Sequence, residues 1–482
     1  MPPYEAFFTQ NFTHVIAGRK VTSEAVGQVV NPATEQVIAT VPIASKAQLD
    51  ETVQAAWDSY PSWAATSWER RQELVSRIGT LVEEELSQFI ELLIKEAGKS
   101  RALAEIEVGS CAAWLHAVAK QSLPDEIVLD TPDRTVVTRY VPLGVCAAIT
   151  PWNFPLSLMM WKVAPALVTG NCVIVKPSPF APLTTMKFVE LAQQVLPPGV
   201  LSVLSGNDDL GPWISSHPSI SRISLTGSTT AGKSAMQLAS STLKRLTLEL
   251  GGNDPAIVCG DVDAKAIAPH LFWSAFHNSG QICVAVKRLY IHSSIYTAVR
   301  DELAAYARNI VVGDGLDPRT GVGPVQNKKQ YEIVKSLIDD SKKNGYNFAL
   351  GGDISEHRKG YFIPITLIDN PPDNARVVQE EQFGPILPLL KWDDVEDVIQ
   401  RANDSKFGLA ASVWANDISH AQSIATRLEA GTVWINEAQQ FHWDQPFGGF
   451  KHSGIGVEHS KHGLYSWCNI QTITQNKIKF SS

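Results

Sequence analysis

"GSTTAGKS", residues 227–234, decides how this chain is to be read. It satisfies the pattern G-x-x-x-x-G-K-[ST] at every defined position, which suggests a loop cradling the phosphates of a nucleoside triphosphate. The physics behind the pattern is broader. Backbone N–H groups of a turn that opens a helix form a site for any phosphate, including the pyrophosphate of a dinucleotide. The surroundings must choose between the two.

Working outward, "SRISLTGS" reads as a strand and "TAGKSAMQLASS" as a helix. "GVCAAIT", "NCVIVKPS", "GVLSVLSG" and "DPAIVCG" are further short apolar runs, alternating with helical stretches such as "PLTTMKFVELAQQVL". Strands alternating with helices imply a parallel sheet in a Rossmann-like α/β domain. A second α/β pattern follows from about residue 253 to 450, with "VKRLYIHSS" and "GLAASVWAND" as strands and "SIYTAVRDELAAYARNIVV" as a helix. The first 120 residues read mainly as helices, through "AQLDETVQAAWDSYPSW" and "ERRQELVSRIGTLVEEELSQFIELLIKEAGKS". "DRTVVTRYVPLG" and the tail "NIQTITQNKIKF" alternate like exposed strands, and edges of that kind are commonly paired with another chain.

At 482 residues the chain has room for about three domains. A 44% hydrophobic, 19% charged composition is that of an ordinary soluble globular protein. The net charge of −8, with no basic run, argues against a nucleic-acid partner. Residues 140–161 carry no charge, but Pro142, Pro151, Pro155 and Asn153 interrupt them, so no membrane span is expected. The opening lacks the pattern of a secretory signal or transit peptide. Six cysteines without a C-x-x-C pair or metal-like spacing to the histidines predict no metal site and a reducing, cytoplasmic setting.

Four more stretches accompany the opening motif: "PWNFP" at 151–155, "LELGGN" at 248–253, "GQIC" at 280–283 and "EEQFGP" at 380–385. In order and spacing they resemble the aldehyde dehydrogenase superfamily, as does the closing "PFGGFKHSGIGVE" at 446–458. Glu249 and Cys283 stand 34 positions apart, like that family's general base and nucleophile. The resemblance implies residues 1–125 and 142–250 as a dinucleotide-binding domain and 251–452 as a catalytic domain. It further implies 126–141 and 466–482 as a small β element joining subunits of a homodimer or homotetramer.

The chemistry explains why such residues are needed. Hydride leaves an aldehyde carbon readily only after a nucleophile has made that carbon tetrahedral, and a thiolate then leaves a thioester. Cys283 is the candidate, although free cysteine is more often simply buried, as expected of the other five. Asn153 resembles the family's oxyanion donor, a contribution of about 3 to 4 kcal/mol. Glu249 resembles the base that activates water against the thioester, which favours release of a free acid over acyl transfer to coenzyme A. Lys162 and Glu458 match positions used for proton relay and ordered water.

On the cofactor side the resemblance places a dinucleotide pyrophosphate at Gly227 and Ser228, with Lys233 one turn along and pointing away. Trp152 would lend a backbone group to phosphate, Lys176 and Ser178 would flank the adenosine ribose, and Glu381 with Phe383 would hold the nicotinamide riboside. Pro179 stands where the family often has a ribose-binding Glu, which leaves NAD or NADP open as cofactor. Asn253 replaces a common Lys. Phe154, Trp161, Phe441 and Phe447 fall where the family lines its aldehyde funnel, with Leu158 and Gln439 near the mouth and Ile282 and Val284 flanking Cys283. None is charged, so apolar aromatic or medium-chain aldehydes are expected ahead of semialdehydes bearing an anionic end. Two rivals are a P-loop triphosphatase, with "AIVCGD" ending in Asp261 as its second motif, and a catalytically silent structural relative.

Overall fold

In the computed structural model, which describes residues 8, 10–354 and 358–479, five strands carry the first sheet. Val145–Ile149 (β1), Cys172–Lys176 (β2), Leu201–Val203 (β3), Arg222–Thr226 (β4) and Arg245–Glu249 (β5) are parallel and lie in the order 3-2-1-4-5. Every residue of β2, β3 and β4 is buried, which is why these stretches read as unbroken apolar runs rather than as alternating ones. The strand order reverses between β1 and β4. In open α/β sheets that reversal opens a crevice beyond the carboxyl ends of the strands. The register brings those ends level, pairing Ile149 with Lys176 and with Leu225, and Thr226 with Glu249.

Helices Lys46–Ala65 (α1), Trp68–Glu84 (α2), Leu86–Ala97 (α3) and Arg101–Val118 (α4) precede this sheet. A reciprocal capping box between Ser45 and Gln48 starts α1. On α4, Ala104, Val108, Cys111, Ala112, Leu115 and Val118 are buried at helical spacing, so one stripe faces the core and the rest faces water. The helical reading of the first 120 residues fails before residue 46. His14–Ile16 and Arg19–Val21 form a hairpin on the edge of the first sheet, and Val26–Val30 pairs with Val37–Pro42. These strands are three to six residues long and carry little periodic signal.

The second sheet contains Asp254–Val258 (β6), Val286–His292 (β7), Thr366–Asp369 (β8), Ile386–Trp392 (β9), Ala410–Trp414 (β10) and Thr432–Ile435 (β11). They run parallel in the order 8-9-7-6-10-11, with Asn347–Leu350 antiparallel at the β8 edge. Successive residues feed different cores, because side chains alternate across a strand. Ile257 and Tyr290 enter one cluster, whereas Ala256, Val258, Leu289 and Ile291 enter the other.

The two exposed-strand stretches find each other. Arg134–Pro142 pairs antiparallel with Cys468–Asn476 along their whole length and with Glu126–Asp130 on its other side. Gly454–Ile455 returns to the first sheet beside β5, so the chain beyond 452 serves that sheet before entering the small one. Residues 1–7 and 480–482 of the expected spans lie outside the described residues. Among the described residues no helix is long and apolar enough to cross a membrane; the uncharged 140–161 stretch is divided among a strand, β1 and the helix Pro155–Val168 (α5).

Candidate active site

At the β1/β4 reversal the opening motif leaves β4 and enters the helix Thr229–Ala239, here α7, with Leu183–Ala192 as α6. Gly227 N–H donates to Glu249 O at 3.0 Å, and the Ser228 hydroxyl caps the helix by accepting from Ala231 N–H at 3.2 Å. Gly232 lies against Leu250, just beyond β5: a Cβ there would meet its Cδ2 at 2.5 Å, so any side chain would have to displace the buried Leu250 tip or the helix. Lys233 is exposed on the helix surface. Asp261, the second element of the triphosphatase reading, follows β6 in the other sheet and accepts from the N–H groups of Asn416 and Asp417. The motif is therefore a strand–turn–helix in which Lys233 and Asp261 are not placed as a triphosphatase requires.

The rest of the crevice fits a dinucleotide. Lys176, at the end of β2, is buried, and its ammonium finds only Pro177 O at 3.4 Å; burial lowers its pKa to about 8. A ribose hydroxyl would give it the partner it lacks. Ser178 is buried with its hydroxyl accepting from Phe180 N–H at 3.3 Å, and Pro179 follows it half-buried with no carboxylate to offer. Across the crevice Trp152 meets Phe383 edge-on at 5.3 Å, and Phe383 holds a left-handed φ of 50°. Glu381 Oε1 accepts from Gly252 N–H at 2.9 Å. Asn253 also acquires an account: its Nδ2 donates to Val378 O at 2.8 Å, tying the stretch after β5 to the segment that carries "EEQFGP".

The nucleophile turn is built by amides. Asn278, Ser279 and Gly280 all take positive φ, 50°, 59° and 73°, a conformation costly for the first two. Asn278 Nδ2 donates to Asn153 O at 3.0 Å and Gln281 O at 3.2 Å, while Asn153 Nδ2 donates to Gln281 O at 2.9 Å. One proton of the Asn153 amide is thereby fixed, and the other remains for a ligand in the cavity that Asn153 and Cys283 both line. Cys283 is partly exposed there, whereas the other five cysteines are buried. Its apolar setting pushes the thiol up to about 12, Lys287 opposing and Asp254, Glu381 and Glu249 reinforcing the rise.

Glu249, at the end of β5, is buried with neither carboxylate oxygen hydrogen-bonded. Desolvation drives its pKa well above the ordinary value, Glu458 adding to the rise and Lys162 opposing it. Lys162 Nζ and Glu458 Oε1 form a buried pair at 2.6 Å, and Ser224 Oγ donates to the same oxygen at 2.9 Å. For Glu458 burial acts upward, but the Lys162 ammonium outweighs it and holds the carboxyl low. Two buried carboxyls thus sit side by side with their protonation tendencies driven apart.

A cavity of about 920 Å³ leads to Cys283. Phe154, Leu158, Trp161, Ile282, Val284, Gln439 and Phe441 line it as expected, with Gln439 Nε2 donating to Ser274 O at 2.5 Å. Phe447 does not. It is 3% exposed and stands behind the wall, its ring 5.3 Å from Phe441 and 5.7 Å from Trp161. Sequence reading missed Trp114, Trp273, Trp414 and Trp443 in the lining. Trp114 stacks on Trp161 at 5.6 Å; it is half-buried beside the apolar stripe of α4, where a single aromatic reads as ordinary core. Also missed was Glu107, whose Oε1 accepts from Leu156 and Ser157 N–H at 3.0 and 3.2 Å and so anchors the start of α5 behind Asn153. The lining carries Glu107 and Glu437 but no lysine or arginine among the described residues.

This geometry agrees with comparison to known proteins. The model of the "Aldehyde dehydrogenase family" matches residues 20–473. The aldehyde dehydrogenase LUC3 of a Fusarium species is 39% identical over 463 residues, covering 96% of this chain and 98% of that one. Retinaldehyde dehydrogenase 3 of Mus musculus is 37% identical over 461 residues, covering 92% and 88%. Among solved structures, the NAD+ complex of a Bacillus cereus aldehyde dehydrogenase superposes with a TM-score of 0.96 at 33% identity, covering 99% of both chains. The chain belongs to the aldehyde dehydrogenase family.

Proposed function

We propose that this oxidoreductase converts an aromatic or medium-chain aliphatic aldehyde to the free carboxylic acid with NAD or NADP, through Cys283. The supporting observation is a partly exposed thiol on an aromatic-lined cavity, beside the crevice that opens at the β1/β4 reversal. The Cys283 thiolate adds to the carbonyl carbon, and the resulting oxyanion takes the free N–H of Asn153 and the backbone N–H of Cys283. The Gly227–Ser228 turn, Trp152, Lys176, Glu381 and Phe383 would hold the dinucleotide, which would supply the hydride acceptor. Loss of hydride restores the C=O and leaves an acyl thioester on Cys283. Glu249, whose raised pKa keeps it basic enough to accept a proton, deprotonates a water that attacks the thioester and expels the thiolate. Glu249 then passes that proton on to solvent, the charge of the neighbouring Lys162, which is paired with Glu458, favouring its return to the carboxylate.

Substrate choice follows from the wall. An anionic aldehyde meets no lysine or arginine in the lining, the buried Lys99 behind it being paired with Glu107 at 3.1 Å, whereas an apolar one gains about 25 cal/mol per Å² of surface buried. The chain is proposed to work in the cytoplasm as a homodimer or homotetramer, with no nucleic-acid or membrane partner. A panel of benzaldehyde, octanal, acetaldehyde, betaine aldehyde and succinic semialdehyde, run with NAD and with NADP, tests the reading by nicotinamide absorbance at each kcat/KM. Benzaldehyde and octanal should lead, and C283A should lose turnover while still binding dinucleotide. Succinic semialdehyde as the best substrate would overturn the reading of the funnel, and turnover in C283A would overturn that of the nucleophile.

A further inference from the structure

Lys287, the second residue of β7, turns its ammonium back on the loop the chain has just left. Nζ donates to Cys283 O at 2.7 Å, Ile282 O at 2.8 Å and Ala285 O at 3.3 Å, with the side chain 2% exposed. Its nearest carboxylate oxygen, Glu381 Oε1, is 3.8 Å away, too far for a hydrogen bond. A buried cation is costly without a close ionic partner, and an apolar side chain of the same length would fill the space more cheaply. Packing does not account for a lysine here. What its three protons do is close one tight turn around Cys283.

The charged groups facing that turn come from every element packed on it. Asp254 begins β6, Glu249 ends β5 and Glu381 follows the 376–379 helix, so three carboxylates act on the thiol, each against its ionisation. Arg288 is turned away, its guanidinium spent on the carbonyls of Asn253, Arg401 and Ala402. Lys287 is the cation left to oppose them.

We propose that Lys287 is a positioning residue for the nucleophile: its ammonium fixes the 282–285 turn with the Cys283 sulfur toward the cavity and supplies the positive charge beside which the thiolate forms. The thiol proton passes to solvent through the cavity, and Lys287 keeps its own throughout. The proposal rests on Cys283 being the nucleophile. Opposition to the upward push on that thiol comes first from Lys287, in keeping with the geometry.

The test is alkylation of the purified enzyme by iodoacetamide between pH 6 and 10, with the Cys283 peptide quantified by mass spectrometry and the fold checked by circular dichroism. K287M should label Cys283 roughly tenfold more slowly than wild type at each pH, all of them below the raised thiol pKa, while K287R stays near wild type. If K287M does not fold, K287Q, which keeps donors for the carbonyls but no charge, should show the same slowing. An unchanged rate in the uncharged variant, or an equal slowing in K287R, would overturn the proposal. In wild type, turnover should fall in step with Cys283 labelling; turnover that survives full labelling would remove the nucleophile assignment and leave the Lys287 profile standing.

Discussion

Single residues were legible where a chemical role fixes both type and neighbours. Cys283, Glu249 and Asn153 sit in short motifs, and the fold sets Asn153 and Cys283 on one cavity while Glu249 lies buried at the end of β5. Lys287 was not legible, because inside "VKRLYIHSS" a lysine next to an arginine reads as the polar face of a strand, and only burial shows otherwise. Phe447 was read one layer too far forward, since sequence gives proximity to a funnel but not which ring faces it. For Glu249→Gln the expected outcome is a stoichiometric burst of reduced cofactor followed by turnover at least about a hundredfold slower, measured by stopped flow, because acylation needs the thiol and deacylation the base. Absence of the burst would assign Glu249 to activating the thiol instead. His459 offers a prediction about pH. Buried between Trp114 and Trp161, at 4.7 and 4.2 Å, its pKa is lowered to about 4 by desolvation. The folded state thus favours neutral imidazole, so the stability this group contributes is present above pH 6.5 and lost as pH falls from 6.5 toward 4. His14 is lowered into the same window. His459→Phe should therefore lose less stability than wild type between pH 7 and pH 5, by about 1 to 2 kcal/mol in urea titrations. Equal losses would place the acid sensitivity elsewhere.

At the scale of elements, the strand–turn–helix at 222–239 shows why a pattern match needs its neighbours. The glycine-rich turn does open a helix, as the pattern requires, and the strands on either side were readable from their apolar runs. The partners that would make the turn a triphosphatase are absent: Lys233 faces water and Asp261 belongs to another sheet. Spacing could not reveal that, because it says nothing about which strands become neighbours. Lys233→Ala should accordingly leave NAD affinity within about twofold of wild type, as expected for an exposed surface charge. Gly232→Val should weaken it by tenfold or so, since a side chain meeting Leu250 must push α7 outward and carry the Gly227–Ser228 turn with it. Titration of intrinsic tryptophan fluorescence with NAD measures both. A large loss in Lys233→Ala would mean that the lysine does reach a phosphate.

For the whole molecule, two parallel sheets were legible because buried strands and intervening helices leave complementary apolar signatures. The hairpins before residue 46 were not, being too short to show a period. The exposed strands were recognised one by one, while their pairing spans more than three hundred residues of sequence and nothing local encodes it. That small sheet now carries an argument about assembly. Ile127 pairs with Val137, and Val137 with Ile473, so the three side chains form one apolar row across the sheet. Ile127 is 68% and Ile473 is 47% exposed, and every residue from Glu126 to Asp130 is open to solvent. A three-stranded sheet needs cover on an apolar face to be stable. Its base has some, where Tyr140 stacks on Tyr465 at 4.7 Å, but among the described residues both ends of the Ile127–Val137–Ile473 row stay exposed. A second copy of this chain would bury the row, in keeping with the proposed homodimer or homotetramer. The double variant Ile127→Glu, Ile473→Glu places two charges in that contact, where each costs several kcal/mol unpaired. Light scattering after size exclusion should then report a smaller assembly than wild type, with far-UV circular dichroism unchanged because both positions are already exposed in the single chain. A wild-type mass equal to one chain, or a variant of undiminished mass, would show that this row is not where copies meet.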